Sequence, residues 1–241
     1  MSQHPRIILF TYGDDPQKIR FVKEPYTNVG LGKKYVDTFS KFEALREAMR
    51  DGVFTDGDIV CFVDGYDVMQ FGDLDEVREK FLSFGVDFVV GAETNCWPSP
   101  WMAHLFPPST TKYRFPNIGT YCGYGWAVRK VLEWDVYRQA YDDQGYFHDF
   151  YLKNLGFAEM RIALDVHCVL FQQCTFVPWR DFAYDTAGRL YNAKCATQPC
   201  FFHFNGKSDL LRDGVTSVMD IIHKKESLEG LLQFHNVIYD S

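Results

Sequence analysis

The sequence lacks the short motifs that mark several large enzyme classes. GxGxxG, GxxxxGKS/T and GxSxG patterns are all absent from its 241 residues, which argues against dehydrogenase, P-loop and hydrolase sites. No CxxC pair occurs among the seven cysteines, so a zinc site is not expected. Because their number is odd, we expect most of these cysteines to be reduced thiols that pack in the core of a protein from a reducing compartment. A disulfide such as Cys168–Cys174 is the alternative.

Long apolar runs and blocks of basic residues are also missing. No stretch approaches the roughly 20 apolar residues of a membrane span. The apolar run near the N-terminus covers only Ile7 to Phe10, too short for a signal peptide, so we expect a cytoplasmic protein without a membrane partner. The net charge is −7 and no Lys/Arg block is present, so nucleic acid is not an expected partner. An anionic substrate would need a metal or a few well-placed basic groups.

Aromatic residues, in contrast, make up 17% of the chain, which suits an aromatic-walled pocket or simply a packed core. In the first half, apolar runs alternate with amphipathic segments. The pattern predicts strands at 6–12, 58–64 and 86–93, separated by a helix at 35–50 and a second helix that is capped by Asp73 and ends at Gly85. This order predicts an α/β fold with a mostly parallel sheet covered by helices on both faces.

The second half is less regular. Residues 96–117 hold five of the ten prolines, which predicts a loop. We expect "IGTYCGYGWAV" to lead into a helix near 127–140, "DDQGYFHDFYLKNLG" to form a helix that stops at Gly156, and 214–235 to form an amphipathic helix. The runs "RIALDVHCVLFQ" and "QPCFFHFNG" are typical of strands. Without a repeat or a linker, one domain over 1–241 is the simplest interpretation.

Two carboxylates follow the strand "IVCFV". Asp64 and Asp67 come directly after this unbroken apolar run, and ligands of an open parallel sheet bind beyond the carboxyl ends of its strands. Oxygen ligands at this spacing suit Mg²⁺ or Mn²⁺, which in turn can bind a diphosphate. A solvated Asp-Gly turn explains the same spacing equally well.

His203 lies near the end of another β-rich run, in "CFFHFNG". A histidine in such a place is commonly a core or turn residue, but an imidazole also suits the third protein ligand of a manganese ion. Asn205, Gly206 and Lys207 could offer backbone amides and a cation to phosphates, or could simply form a turn.

Two further segments carry candidate site residues. Asp142 and Asp143 stand at a helix start, where capping explains one acid; the other could orient or deprotonate an acceptor hydroxyl. Trp97, in "ETNCWP", follows the third strand. It could form a wall against a sugar or base, or pack within its loop.

Six segments occur in the order "VDGYDV", "AETNCWP", "NIGTYCGYGWA", "DDQ", "LDVHCVLFQ" and "HFNGKSDLL". Together they resemble the glycosyltransferase domain of the procollagen lysyl hydroxylase/glycosyltransferase family. The ordered set spans about residues 6 to 212 and is far more specific than any one motif. It implies a single GT-A domain, similar to stand-alone viral or microbial homologues.

The resemblance implies a UDP-sugar donor and Mn²⁺, with Mg²⁺ as the alternative metal. By motif, the metal ligands would be Asp64, Asp67 and His203. The residues carried over to donor binding are Lys41, Asp64, Tyr66, Asn205, Gly206 and Lys207, and those carried over to catalysis are Trp97, Asp142 and Asp143. After the metal histidine the family pattern is usually Gly-Asn-Gly-Pro, whereas this chain has Phe-Asn-Gly-Lys.

These implications predict an enzyme that moves glucose or galactose from a UDP-sugar to a hydroxyl acceptor. The expected acceptor is hydroxylysine or galactosyl-hydroxylysine of a collagen-like protein, with a non-collagen glycan as the alternative. A non-catalytic sugar-nucleotide-binding module would have no use for the whole set of acids and His203. A nucleotidyltransferase would normally carry a Gly/Arg-rich phosphate loop, and "ILFTYGDDPQ" is not one. The C-terminal helices are a candidate homodimer contact.

Overall fold

A computed structural model describes residues 4–23, 25–134, 142–157, 159–186 and 188–205. The helix predicted at 214–235, together with Gly206 and Lys207, lies outside the described residues. None of the described helices is long and apolar enough to cross a membrane.

The described residues form four α-helices, eleven β-strands and three short 3-10 helices. The α-helices are α1 (Ser40–Arg50), α2 (Leu74–Ser83), α3 (Gly125–Glu133) and α4 (Asp143–Phe157). The strands are β1 (Ile7–Tyr12), β2 (Thr27–Asn28), β3 (Ile59–Asp64), β4 (Val68–Gln70), β5 (Phe88–Glu93), β6 (Phe115–Tyr124), β7 (Ile162–Asp165), β8 (Phe171–Gln173), β9 (Phe182–Tyr184), β10 (Leu190–Asn192) and β11 (Phe201–His203). The 3-10 helices cover Pro16–Lys18, Pro100–Leu105 and Trp179–Asp181.

The largest sheet has six strands in the order β2-β1-β3-β6-β5-β7. The pairs β1–β2, β1–β3 and β5–β7 are parallel, whereas β6 runs antiparallel to both β3 and β5. Five of the six strands therefore share one direction. The first five residues of β3 are fully buried, as expected of a central strand covered on both faces. The predicted α/β class with a mostly parallel sheet is confirmed.

A second sheet of three strands, in the order β4-β11-β8, lies beside the first. In it, β11 pairs antiparallel with β4 and parallel with β8, and β8 contacts β5 of the six-stranded sheet. Strands β9 and β10 form a separate antiparallel pair. The small sheet brings β11 from late in the chain next to the segment that follows β3.

The helix boundaries depend on local hydrogen bonds. Helix α1 begins at Ser40, later than the predicted start at residue 35, because the Ser40 hydroxyl accepts hydrogen bonds from the Val36 and Asp37 amides and holds a turn there. Asp73 caps α2 by accepting a hydrogen bond from the Glu76 amide at 2.8 Å, as predicted. Helix α4 continues through Gly156 to Phe157, so the predicted stop at Gly156 is one residue too early.

Strand β6 is the main element that the sequence pattern did not predict. The segment was expected only to lead into a helix, but Phe115–Tyr124 forms a ten-residue strand at the centre of the sheet. Its pairing with β5 shifts register between Val90 and Gly91, where Gly91 lies opposite Asn117 and Val90 opposite Tyr121. The three residues between these partners form a bulge in β6, which interrupts its ladder with β5.

All seven cysteines are free thiols. Cys61 and Cys122 lie directly opposite one another on β3 and β6, fully buried. The Cys168 thiol donates a hydrogen bond to the Cys195 sulfur. The alternative of a Cys168–Cys174 disulfide is therefore not found.

Candidate metal and sugar-nucleotide site

Strands β1, β3 and β5 end at one edge of the large sheet, and the antiparallel strand β6 begins there. Asp64 and Glu93 are the last residues of β3 and β5. Because β6 bulges between them, the sheet opens at this edge into a cavity of about 570 Å³. The cavity is lined by Thr38, Lys41, Asp64, Asp67, Glu93, Asn95, Trp97, Asn117, Gly119, Asp143, Gln144, Thr175, Phe176, His203 and Asn205.

Asp64, Asp67 and His203 come together in this cavity. One ligand atom from each lies within 4.8 Å of the others. The His203 Nε2 atom is 3.6 Å from Asp64 Oδ2 and 3.4 Å from Asp67 Oδ1. Two carboxylates and an imidazole facing one point form a donor set suited to a divalent cation such as Mn²⁺ or Mg²⁺. The residues present therefore fit the metal that the resemblance implies.

The imidazole of His203 is held in one orientation by β8. Its Nδ1 atom lies 2.7 Å from the acceptor Gln173 Oε1, so Nδ1 carries a hydrogen and Nε2 is left to face the two aspartates. Gln173 is fixed in turn because its Nε2 donates to Thr120 Oγ1 at 2.6 Å. Such an outer partner sets both the tautomer and the ring direction of a metal-binding histidine.

The electrostatics of the three ligand residues reflect their burial and mutual contact. Burial raises the pKa of Asp64. At Asp67, burial is the largest influence and opposes ionisation, but the charge and hydrogen bond of His203, together with the charge of Lys41, outweigh it, so the pKa of this carboxyl is lowered. Burial lowers the pKa of His203, and Asp67 and then Asp64 more than reverse the effect, so the net pKa is raised. The cluster thus stabilises positive charge at its centre.

Lys41 links the cluster of Asp64, Asp67 and His203 to the start of α4. Its Nζ atom donates to Asp64 Oδ1 at 2.9 Å and lies 2.6 Å from Asp143 Oδ2, and all three groups are largely buried. Burial lowers the pKa of Lys41, but Asp143 and Asp64 outweigh it and leave the pKa raised. Because Lys41 uses Asp64 Oδ1, the other carboxylate oxygen stays directed toward His203.

The two acids of "DDQ" have different surroundings. Asp143 lines the cavity and contacts Lys41. Asp142 caps α4, since its Oδ1 accepts a hydrogen bond from the Gly145 amide at 2.7 Å, and it is not among the residues that line the cavity. Asp142 is therefore the helix cap, and Asp143 is the acid that faces the site.

Glu93, which the sequence analysis did not single out, forms a polar wall of the cavity with Gln144 and Asn205. Glu93 accepts hydrogen bonds from Gln144 Nε2 at 3.1 Å and from Asn205 Nδ2 at 2.9 Å. Burial raises the pKa of its carboxyl to about 8. Its place at the end of β5, at the same edge as Asp64, was the signal in the sequence that could have found it. Gln144 also accepts a hydrogen bond from the Ile118 amide, which attaches α4 to the bulge in β6.

The remaining predicted residues occupy different places. Trp97 lines the cavity and is 53% exposed, so it does not pack within its loop. Tyr66 lies outside the set of lining residues: its hydroxyl donates to Asp14 and accepts from the Asp15 amide at 2.8 Å, on the loop after β1. Asn205 lines the cavity. Phe176, which the sequence did not single out, lines it as well.

The chain is similar to several known proteins. A family model described as the PLOD GT domain matches residues 25–222. The procollagen-lysine,2-oxoglutarate 5-dioxygenase of Drosophila melanogaster is 34% identical over 70% of this chain and 24% of its own length. The human multifunctional procollagen lysine hydroxylase and glycosyltransferase LH3 is 28% identical over 76% of this chain and 26% of its own length. The chain thus spans about a quarter of the length of these curated relatives.

Among solved structures, one similar chain is a glycosyltransferase involved in glycosylation of the major capsid of PBCV-1. It is 12% identical, with a TM-score of 0.47, over 89% of this chain and all of its own length.

Proposed function

This chain belongs to the PLOD glycosyltransferase-domain family, and from that premise we propose that it is a metal-dependent hexosyltransferase of the GT-A type. It would transfer glucose or galactose from a UDP-sugar to a hydroxyl group. The observation that carries the proposal is the convergence of Asp64, Asp67 and His203 in a cavity that also contains Asp143 and Lys41. A sugar nucleotide needs a cation for its diphosphate, and this cavity has the ligands to hold one.

Asp64, Asp67 and His203 would hold Mn²⁺, or Mg²⁺ in its place. When bound, the metal neutralises the diphosphate and the charge that develops on the departing UDP. The contacts of Gln173 and Lys41 direct His203 Nε2 and Asp64 Oδ2 toward the same point before any ligand arrives. Such preorganised charges need no rearrangement during the reaction.

Asp143 is the residue that we assign to the acceptor. Its carboxylate is held by Lys41 at the cavity wall, where it can accept a hydrogen bond from an incoming hydroxyl and orient that group. Asp142, as a helix cap, supports the position of Asp143 rather than acting on substrate. Trp97 provides an exposed aromatic face on the same cavity.

The proposed acceptor is hydroxylysine or galactosyl-hydroxylysine in a collagen-like protein. This assignment is supported by the names of the relatives, which include a procollagen lysine hydroxylase and glycosyltransferase. A glycan on another protein is the alternative acceptor.

The proposal is tested by measuring UDP release from a panel of UDP-sugars. Each donor is assayed with Mn²⁺, Mg²⁺ or EDTA, with and without hydroxylysine and galactosyl-hydroxylysine peptides. We expect turnover with at least one UDP-hexose that requires the metal and increases with acceptor. Asp67→Asn should abolish it, whereas Asp75→Asn, at an exposed position of α2, should not change it. Absence of metal-dependent turnover with every donor would refute the proposed function.

A further inference from the structure

Phe176 occupies a backbone position that normally belongs to glycine or asparagine. Residues Cys174 to Val177 form a tight turn closed by a hydrogen bond from the Val177 amide to the Cys174 carbonyl at 3.1 Å. Phe176 is its third residue and has a φ of +57°. The left-handed region is unfavourable for a bulky side chain, and turns of this kind usually place glycine there. A phenylalanine at this position therefore strains the backbone.

The turn is tied to the residues around the metal cluster. The Cys174 amide donates to the His203 carbonyl at 2.9 Å, and the Thr175 amide donates to Asn205 Oδ1 at 3.3 Å. Thr94, from the segment that leads to Trp97, donates its hydroxyl hydrogen to the Thr175 carbonyl at 3.3 Å. The turn therefore has a fixed position relative to both His203 and the Trp97 loop.

The Phe176 ring faces the cavity rather than the core. Phe176 lines the cavity and is 64% exposed, and Trp97 also lines the cavity and is 53% exposed. Within the part of the chain that the structure describes, neither ring is paired with another aromatic side chain. Exposed aromatic rings beside polar groups are the usual components of small-molecule sites. The neighbouring lining residue Asn95 offers a neutral amide suited to sugar hydroxyls.

The two flanks of the cavity differ in charge. One flank comes from α1 and the start of α4, where Lys41 and Asp143 form an ion pair. The other comes from the loops after β5 and β8, with the rings of Trp97 and Phe176. A diphosphate requires a metal, which Asp64, Asp67 and His203 would hold beside the ion-paired flank, whereas the uncharged aromatic flank suits the apolar C–H face of a pyranose, since ring faces are electron-rich.

We propose that Phe176 is a specificity-determining residue that, together with Trp97, stacks on a hexose ring of the acceptor. The inference rests on the proposed function and adds to it a preference for an acceptor that already carries a sugar over one that offers a bare side-chain hydroxyl. It assigns Phe176 to acceptor binding and not to the donor.

The test compares the wild type with Phe176→Gly and Phe176→Tyr. Glycine adopts the left-handed conformation without strain, so the Gly variant removes the ring without unfolding the turn. We expect Phe176→Gly to raise the KM for a galactosyl-hydroxylysine peptide about tenfold, the size of a lost stacking contact. The KM for the same peptide without galactose, the donor KM and acceptor-independent hydrolysis of the UDP-sugar should not change. Phe176→Tyr should retain wild-type values.

An equal KM for the galactosylated peptide in wild type and Phe176→Gly would overturn the inference, as would an equal rise in the donor KM. Failure of the proposed function would look different, because the wild type itself would then turn over no UDP-sugar. In that case saturation-transfer NMR with methyl β-galactoside, in the presence of diamagnetic Mg²⁺ and UDP, tests the stacking role without turnover. Signal in the wild type that is lost in Phe176→Gly supports the stacking role, and no signal in the wild type refutes it.

Discussion

Gly119 lies directly against the imidazole of His203. A Cβ atom at this glycine would be 2.3 Å from His203 Cε1 and 2.6 Å from Asp64 Oδ2, closer than non-bonded atoms can approach. The residue belongs to the bulge of β6, so the bulge brings a backbone without a side chain under two of the proposed metal ligands. The space for the proposed metal between Asp64 and His203 exists because residue 119 has no side chain.

Gly119→Ala should therefore weaken metal binding. The added methyl group would displace His203 or Asp64 from their common point, and we expect the Kd for Mn²⁺ to rise at least about tenfold, as for other changes that misorient ligands. Isothermal titration calorimetry measures the change. Gly57→Ala is the matched control, because a Cβ there meets no atom within 4 Å. Equal affinities in the two variants would contradict the assignment of this cluster as the metal site.

Gln173→Leu should weaken metal binding without removing a ligand. Loss of the acceptor at 2.7 Å from His203 Nδ1 leaves the tautomer and ring direction unfixed, and changes of this kind typically cost about 10- to 100-fold in metal affinity. Thr120→Val is the control, since it removes the other hydrogen-bond partner of Gln173 and leaves the contact with His203 in place. A Gln173→Leu variant with wild-type Mn²⁺ affinity would show that His203 needs no such support.

Lys41→Met should destabilise the fold. Removing the ammonium group leaves Asp64 and Asp143 buried without their shared cation, and breaking a buried pair from one side costs roughly 3 kcal/mol or more. Urea unfolding in the absence of metal measures the loss. Lys33→Met breaks the half-exposed pair with Glu47 and should cost less than about 1 kcal/mol. Similar losses in the two variants would argue against the buried network.

Glu93 should make stability fall as pH rises. The folded-state pKa of about 8 lies above the ordinary value of 4.5, so the folded state holds a proton that the unfolded state releases between these values. The contribution is complete below about pH 4.5 and is lost progressively up to about pH 8, by roughly 5 kcal/mol at most. Denaturant unfolding of wild type and Glu93→Gln across this range isolates the effect. A constant difference between the two proteins would mean that Glu93 is ionised when buried.

The first half of the fold was predictable because its signals are local. An unbroken apolar run predicts a buried strand, and an aspartate three residues before a glutamate predicts the cap of α2; both were found. Strand β6 was missed because it is rich in glycine and polar residues and is stabilised by β3 and β5 on its two sides. Pairing between distant segments overrides weak intrinsic preference.

The candidate site was also predictable only in part. Positions near the ends of apolar strands made Asp64, Asp67 and His203 candidates, with turn or core roles as the alternative. The family resemblance implied that they form one ligand set, and the structure brings them together. Which acid of "DDQ" faces the cavity depends on the first turn of α4, and spacing alone does not determine it. Gln173 and Phe176 gave no signal, because their importance arises from contacts with residues far away in the chain.

The proposed ligands belong to different sheets: Asp64 ends β3 of the six-stranded sheet, and His203 ends β11 of the three-stranded one. A cation bound between them would fasten the two sheets together, so occupancy and folding would be thermodynamically linked. At a free-metal concentration 100 times the Kd, the linkage adds about 2.7 kcal/mol to the free energy of unfolding. In a cell short of the metal, the same chain would unfold more often and be degraded sooner, so metal supply would set the abundance of the protein as well as its activity.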